Sequence, residues 1–188
     1  KFTADDWPWW RGPARDGNAV GDAPIRWSEK ENIIWKTPIP GRGHSSPIVF
    51  GNRVYLTSAD DQRQFALAVD RDTGSIVWTT TVHEGKFGTK HGDNTFASPT
   101  PCCDGERLFV AFQNDEAVHV TALHLDGTIA WRMKAGPTGG GGSHGSAASL
   151  ALWGKNVFMS DDTPGGGWIA GLYRTSGQFW RKGRRTGM

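Results

Sequence analysis

A chain of 188 residues with 10 Trp, 26 Gly, only 2 Tyr and 37% hydrophobic residues suits neither a helical bundle nor a disordered tail, and its length fits one domain or two small ones. Its 21 basic and 19 acidic side chains give a formal +2, but Arg181, Lys182, Arg184 and Arg185 crowd the last eight residues; without them 17 basic groups meet 19 acidic ones, a balance of −2. A body with no basic field argues against nucleic acid or an anionic membrane as the main partner, and no apolar run approaches the roughly 18 residues of a membrane span. The sequence opens on Lys1 without a signal peptide, as a processed form or a piece of a longer protein does.

Residues 1–33 read as a Trp-rich extension, with Trp7-Pro8-Trp9-Trp10-Arg11-Gly12-Pro13 at its centre. Ile34-Trp35-Lys36 then reads as a lone strand. Gly and Pro interrupt almost every later window except Asn52 to Thr73. Within that stretch Gln62 to Asp70 has the propensity of a short helix. Elsewhere the apolar runs are short, aromatic and β-branched (Val54-Tyr55-Leu56, Leu108-Phe109-Val110, Val157-Phe158-Met159), and turn residues bound them as they bound strands.

Three segments repeat: Ser46 to Trp78, Ser98 to Trp131 and Ser149 to Trp180. The serines recur at 52 and 51 residues and the tryptophans at 53 and 49. Each unit has a short first strand, a turn (Gly51-Asn52, Asp104-Gly105, Gly154-Lys155), an aromatic second strand and a third strand. A Gly turn (Gly74, Gly127, Gly177) leads to a fourth strand carrying Trp78, Trp131 or Trp180. Four short strands per repeat, with a fixed Gly and Trp, describe a β-propeller blade. The fold expected is therefore all-β, with blades of four antiparallel strands at about 46–80, 98–134 and 149–182 within residues 34–188. The helix at Gln62 to Asp70 gives way to a third strand, and the three tryptophans pack between blades.

The pattern A-L-D-x-x-T-G-x-x-x-W resembles the pyrroloquinoline-quinone-type (PQQ-like) propeller repeat. It stands as Ala68-Val69-Asp70-Arg71-Asp72-Thr73-Gly74 through Trp78, and more loosely in the other units, where its Asp is His124 and Tyr173. Unit three also lacks one residue between Gly177 and Trp180, which suggests a degraded or shortened blade. The Trp7 to Pro13 motif and Gly43-His44-Ser45-Ser46-Pro47-Ile48-Val49 resemble exported PQQ-like proteins of planctomycete-type bacteria. Relatives of the repeat have seven or eight blades, so three blades and the strand Ile34-Trp35-Lys36 make about half a ring with open sheet edges, which favours self-association.

His44, His91 and His144 stand two, seven and five residues ahead of the first-strand serines, in loops that ring a propeller's channel mouth. With Arg42 and Asn94 beside them they form a candidate site for a metal or an anionic ligand, or else order their loops by hydrogen bonding. His83, His119 and His124 have no such placement. Cys102 and Cys103 end a first strand, where one sulfur faces each side of the sheet as a small hydrophobe would. The resemblance also offers a vicinal disulfide beside a quinone. Gly140, Gly142 and Gly145 match a dinucleotide fingerprint, but a strand follows them, so the tract reads as a flexible connection. The acidic pairs Asp60-Asp61, Asp115-Glu116 and Asp161-Asp162 fall on one rim, as solvated turns or, by resemblance, calcium ligands. The segment Arg181 to Arg185 reads as an adhesive arm or as a truncated or altered last strand. Ser45 and Ser46 neighbour His44 in sequence only, and no catalytic residue is assigned.

These readings point to an exported, non-catalytic binding or scaffolding module without cofactor, like the outer-membrane assembly scaffold of this repeat class. Its partner would be a protein, a small molecule or itself. The alternative is part of a quinoprotein dehydrogenase that uses PQQ and calcium to oxidise an alcohol or sugar.

Overall fold

The protein, seen in a computed structural model that describes residues 1–85, 87–138, 144–162 and 166–185, contains among these described residues twelve strands and no helix. Blade one holds β1 (Ile48–Phe50), β2 (Arg53–Ala59), β3 (Arg63–Asp70) and β4 (Ile76–Glu84). Blade two holds β5 (Cys102–Cys103), β6 (Arg107–Asn114), β7 (Ala117–His124) and β8 (Ile129–Pro137). Blade three holds β9 (Ala151–Trp153), β10 (Asn156–Asp161), β11 (Gly167–Tyr173) and β12 (Phe179–Arg185). Each is an antiparallel sheet in sequential order, and the three do not close into a ring. The glycine tract 139–142 lies outside the described residues.

β3 shows why helix propensity loses. Gln64 to Val69 is buried on both faces of a middle strand, and packing of this kind overrides local preference. Asp115 and Glu116 adopt the left-handed region (φ 47° each) in the two-residue turn joining β6 to β7, whose twist suits a tight hairpin.

The sheets stack with alternate residues facing opposite neighbours. Toward blade two, blade one turns Ile48, Tyr55, Ala66, Ala68 and Val82, which pack on Cys103, Leu108, Val110, Phe112 and Leu123. Blade two's other face, with Cys102, Phe109, Val120 and Ala122, meets Leu152, Val157, Met159, Trp168 and Leu172. The two cysteines thus serve opposite cores. Both are free thiols, fully buried, and burial pushes Cys102 well up and Cys103 to about 12.

Each Trp reaches the following blade. Trp78 lies against Gly127 and donates from Nε1 to the Leu125 carbonyl (3.0 Å); Trp131 lies against Gly177 and donates to the Arg174 carbonyl (2.9 Å). Gly127 and Gly177 sit at φ +90° and +71°, and a Cβ there would come within 2.7 and 2.6 Å of the indole, so both conformation and space demand glycine.

Two expectations need correction. Ile34-Trp35-Lys36 forms no strand, because among the described residues no third strand lies alongside to complete its ladder. Trp35 nevertheless makes the fourth-strand contact, lying against Gly74 and donating to the Arg71 carbonyl (2.8 Å). Blade three is complete: all three blades carry a bulge at this point of the fourth strand, with Val77 and Ala130 as the extra residues in blades one and two, and the shorter spacing from Gly177 moves the Trp onto that bulged place. Trp78 pairs with Ala68 and Trp131 with Ala122, but Arg181 pairs with the equivalent Gly171, leaving Trp180 as the extra residue. The basic segment is β12 itself.

The extension does more than precede the blades. Trp7 exchanges two backbone hydrogen bonds with Val49 of β1 (2.8 and 2.9 Å). The Pro8 carbonyl accepts from Cys103 N–H of β5 (2.8 Å), and the Arg15 guanidinium donates to the Leu152 carbonyl of β9 (2.6 Å). It therefore runs along the free edges of all three inner strands and supplies partners to groups that the sheets leave open.

Candidate functional site

The connections ahead of β1 and β5 and the turn after β2 open on one face of the arc, around a cleft of about 900 Å³. Arg42 is fixed there by its backbone, which exchanges two hydrogen bonds with Ala59 at the end of β2 (2.7 and 2.9 Å). Its neighbours must be small: a Cβ on Gly41 would stand 2.4 Å from the Ala59 carbonyl oxygen, and one on Gly43 2.5 Å from that of Thr57. His44 N–H donates to the Ala97 carbonyl (3.0 Å), and Ser45 Oγ donates to the Thr57 carbonyl (3.2 Å). This holds Arg42 and His44, both exposed, on the cleft wall.

Asn94 forms the facing wall. Its Oδ1 accepts from Thr95 N–H (2.8 Å) and from the Ser98 hydroxyl, and its Nδ2 donates to the His144 carbonyl. His91 and His144 stack beside it, centroids 5.5 Å apart and planes 22° from parallel. Arg42, His44 and Asn94 therefore line the cleft, while the His91–His144 pair does not. The three imidazoles do not gather around one point: among the described residues no three His, Cys, Asp or Glu side chains are grouped to hold a metal ion.

The acidic pairs separate as well. Asp60 caps its own turn, accepting from Gln62 N–H (2.8 Å) and Arg63 N–H (2.6 Å) and pairing with the Arg63 guanidinium (2.9 Å); the backbone hydrogen bond from Gln62 leads the causes that hold its carboxyl below the usual range. Asp115-Glu116 makes a hairpin turn, whereas Asp161 is buried at the end of β10 rather than solvated.

Two glutamines unmarked by any motif organise this face. Fully buried Gln64 donates from Nε2 to the carbonyls of Phe96 (3.1 Å) and Gln113 (2.8 Å). Gln113 accepts from Ser146 N–H (3.0 Å) and donates to the Thr89 carbonyl (3.4 Å). Together they tie the connections between blades one and two and between blades two and three to the sheet ends. Lys90 also lines the cleft, with Nζ 5.1 Å from the Phe96 ring centroid. The signal that could have revealed Gln64 is its position, a polar side chain facing inward on an otherwise apolar strand.

The described residues contain no helix long and apolar enough to cross a membrane. No curated protein matches the chain. Among solved structures it is similar to BamB from Moraxella catarrhalis (19% identity, TM-score 0.56, covering 81% of this chain and 43% of that one). It is also similar to a europium-containing methanol dehydrogenase (16%, 0.55, 78% and 25%) and to the quinohemoprotein alcohol dehydrogenase of Comamonas testosteroni (13%, 0.54, 77% and 21%). The chain thus spans less than half of each, and these likenesses speak for the fold. A family model described as outer membrane protein assembly factor BamB matches residues 24–86 and 62–186, most of the sequence, and with its three blades of PQQ-like repeat the chain belongs to that family.

Proposed function

We propose that this protein is a non-catalytic binding or scaffolding module of the bacterial cell envelope. Its protein or small-molecule ligand would sit in the cleft lined by Arg42, His44 and Asn94, with His91 and His144 bracing the loops. The observation that carries this reading is the extension along the axis. A quinone with its calcium needs the inner strands to present carboxylates and an aromatic floor around an open centre. Here the inner edges of β1, β5 and β9 are taken by Trp7, Pro8 and Arg15, the buried Asp6 carboxylate at that edge accepts from Thr3 N–H (2.6 Å) and Gly51 N–H (2.8 Å), and among the described residues no three His, Cys, Asp or Glu side chains are grouped to hold a metal ion. This arrangement supports the reading without that cofactor. What the residues fit is recognition, since rigid blades display pinned loops, and function in a propeller resides in such loops.

The test is titration of the purified protein with PQQ and calcium, followed by gel filtration and an assay of dye reduction with ethanol or glucose. No co-eluting chromophore and no dye reduction are expected. A stoichiometric quinone complex would install the dehydrogenase reading instead. On the binding side, a photo-crosslinker at position 61 on the cleft wall is expected to capture a discrete envelope partner, and Arg42→Ala with Lys90→Ala to abolish capture. Capture that ignores those substitutions would place the partner elsewhere.

A further inference from the structure

The turns joining β5 to β6, β9 to β10 and β11 to β12 fall on the rim opposite the cleft, because successive strands are antiparallel. There the extension folds back on itself. Gly12, at φ +71°, makes the bend, and a Cβ on it would stand 2.6 Å from the Trp7 ring. Arg15 N–H donates to the Gly12 carbonyl (3.0 Å). Arg15 is itself held at φ 62°, a left-handed conformation that a non-glycine residue keeps only where its surroundings impose it. Its guanidinium lies over the Trp9 ring, 4.6 Å from the centroid, while donating to the Leu152 carbonyl of β9 (2.6 Å). That bond uses one of several N–H donors, and among the described residues no carboxylate pairs with Arg15.

Arg174 comes to the same place from the turn between β11 and β12. Its N–H donates to the Lys155 carbonyl (3.0 Å) and its carbonyl accepts from Trp131 Nε1 (2.9 Å), so two blades fix its backbone. Its guanidinium meets Asp104 Oδ2 at 3.3 Å. The other oxygen of Asp104 accepts from Glu106 N–H (2.9 Å) and Arg107 N–H (2.7 Å) of its own turn, and its side chain is only 4% exposed. Arg15, Arg174 and Asp104 share a pocket of about 240 Å³ with Trp9 and with Trp153, which is 76% exposed. Two guanidiniums against one carboxylate leave a single unbalanced positive charge between indole walls. Burial pushes the Cys102 thiol up, and both cations oppose that push, so their fields meet at one place.

We propose that this pocket is a second binding site, for a small monocarboxylate carried on a flat aromatic body. The carboxylate takes the free donors of Arg15 and Arg174, whose planar forks suit it, and the ring lies on Trp153. The net charge sets the valence, because a dianion would meet the Asp104 carboxylate beside Arg174 with one charge uncompensated. The volume sets the size. It falls below the roughly 300 Å³ at which sites for drug-sized ligands begin, which admits one ring with its acid and no nucleotide. Trp153 buries little within the chain, and stacking on a ligand is the use this pocket gives it. The site shares no residue with the cleft on the other rim, so the inference goes beyond the binding-module reading and stands if that reading fails.

The test is isothermal titration of the full chain at about pH 8, where a phosphate monoester is a dianion. Benzoate is expected to bind with Kd below about 10 mM, and benzamide, its neutral counterpart, and phenyl phosphate each about tenfold more weakly. Trp153→Ala removes an exposed ring and is expected to weaken benzoate about fivefold or more, and Arg15→Gln about tenfold. Asp104→Asn keeps the oxygen that caps the turn and removes the charge. It is expected to narrow or reverse the preference for benzoate over phenyl phosphate, a change that loosened packing would not produce. Benzoate that fails to bind, benzamide that binds as well, or an affinity unchanged in W153A would each overturn the proposal, as would D104N with its selectivity unaltered. Should R15Q loosen the extension, W153A and D104N decide the matter without it.

Discussion

Between blades one and two, Gln64, Thr57, Thr121 and the pair His83–His119 lie among Tyr55, Val110 and Phe112. Between blades two and three, the buried contact is Phe109, Val120 and Ala122 against Val157, Met159, Trp168 and Leu172, with Asp161 at its margin. The two seams share a repeat, a register and a Trp lock, so their shape is the same. Their chemistry is not. In the first seam, Thr57 Oγ1, Gln64 Oε1, His83 Nε2 and Thr121 Oγ1 are buried without a hydrogen-bond partner among the described residues. Such groups cost stability where they sit and make a contact sensitive to conditions. The apolar seam holds the arc together; the polar one couples it to the loops of the candidate site.

Breaking the apolar seam should have the largest effect. Phe109 is fully buried and packs against Trp131, so Phe109→Ala removes an aromatic side chain and leaves a cavity beside the lock. A loss of about 3–5 kcal/mol is expected in urea unfolding. A loss below about 1 kcal/mol would mean that this seam does not carry the load assigned to it.

Gln64→Leu tests the polar seam's tie to the cleft. It keeps side-chain bulk and removes two donors, leaving the Phe96 and Gln113 carbonyls short of a partner. About 1–3 kcal/mol of stability should be lost, and amide exchange should quicken in residues 94–98. Unchanged exchange there would separate the loop from the seam.

The repeat made most of the fold legible before any coordinates, because the Gly at the third turn and the Trp three or four residues later mark the contact between successive blades. It also placed the cysteines on opposite faces, since strand alternation leaves no other arrangement. What periodicity could not give was how segments outside the repeat are used. Trp7 and Arg15 partner inner-strand backbone groups, and Trp35 keeps its lock while its strand goes unpaired. Neither follows from a local pattern, because each depends on an edge contributed by residues some 35 to 140 positions away. Of the candidate site, the sequence brought Arg42, His44 and Asn94 to one cleft, while His91 and His144 paired with each other. The offsets of two, seven and five residues had already shown that the three histidines are not equivalent.

His83 gives the smallest and most selective probe of the difference between the seams. Its ring lies 5.0 Å from that of His119 and edge-on to Phe112; Arg132 and Lys134 of β8 are the nearby cations, and Asp115 is the acid that opposes them at His119. Burial, reinforced by His119 and Arg132, pushes His83 down to about 4, and burial with Lys134 lowers His119 in the same direction. The unfolded chain binds these protons near the ordinary imidazole value of about 6.5, whereas the native seam refuses them. Stability is therefore complete above that value and falls as the pH drops toward 4, since the unfolded state then holds more protons. Between roughly pH 7 and 4.5 the Tm should fall by a few degrees more in the native protein than in His83→Phe, which removes the titrating group and keeps an aromatic ring. Amide exchange should quicken first in β4 and β7, while β10 and β11 in the apolar seam keep their protection. If the two proteins melt in parallel across that range, the polar seam is as indifferent to protons as its neighbour, and the contrast drawn between them is one of composition alone.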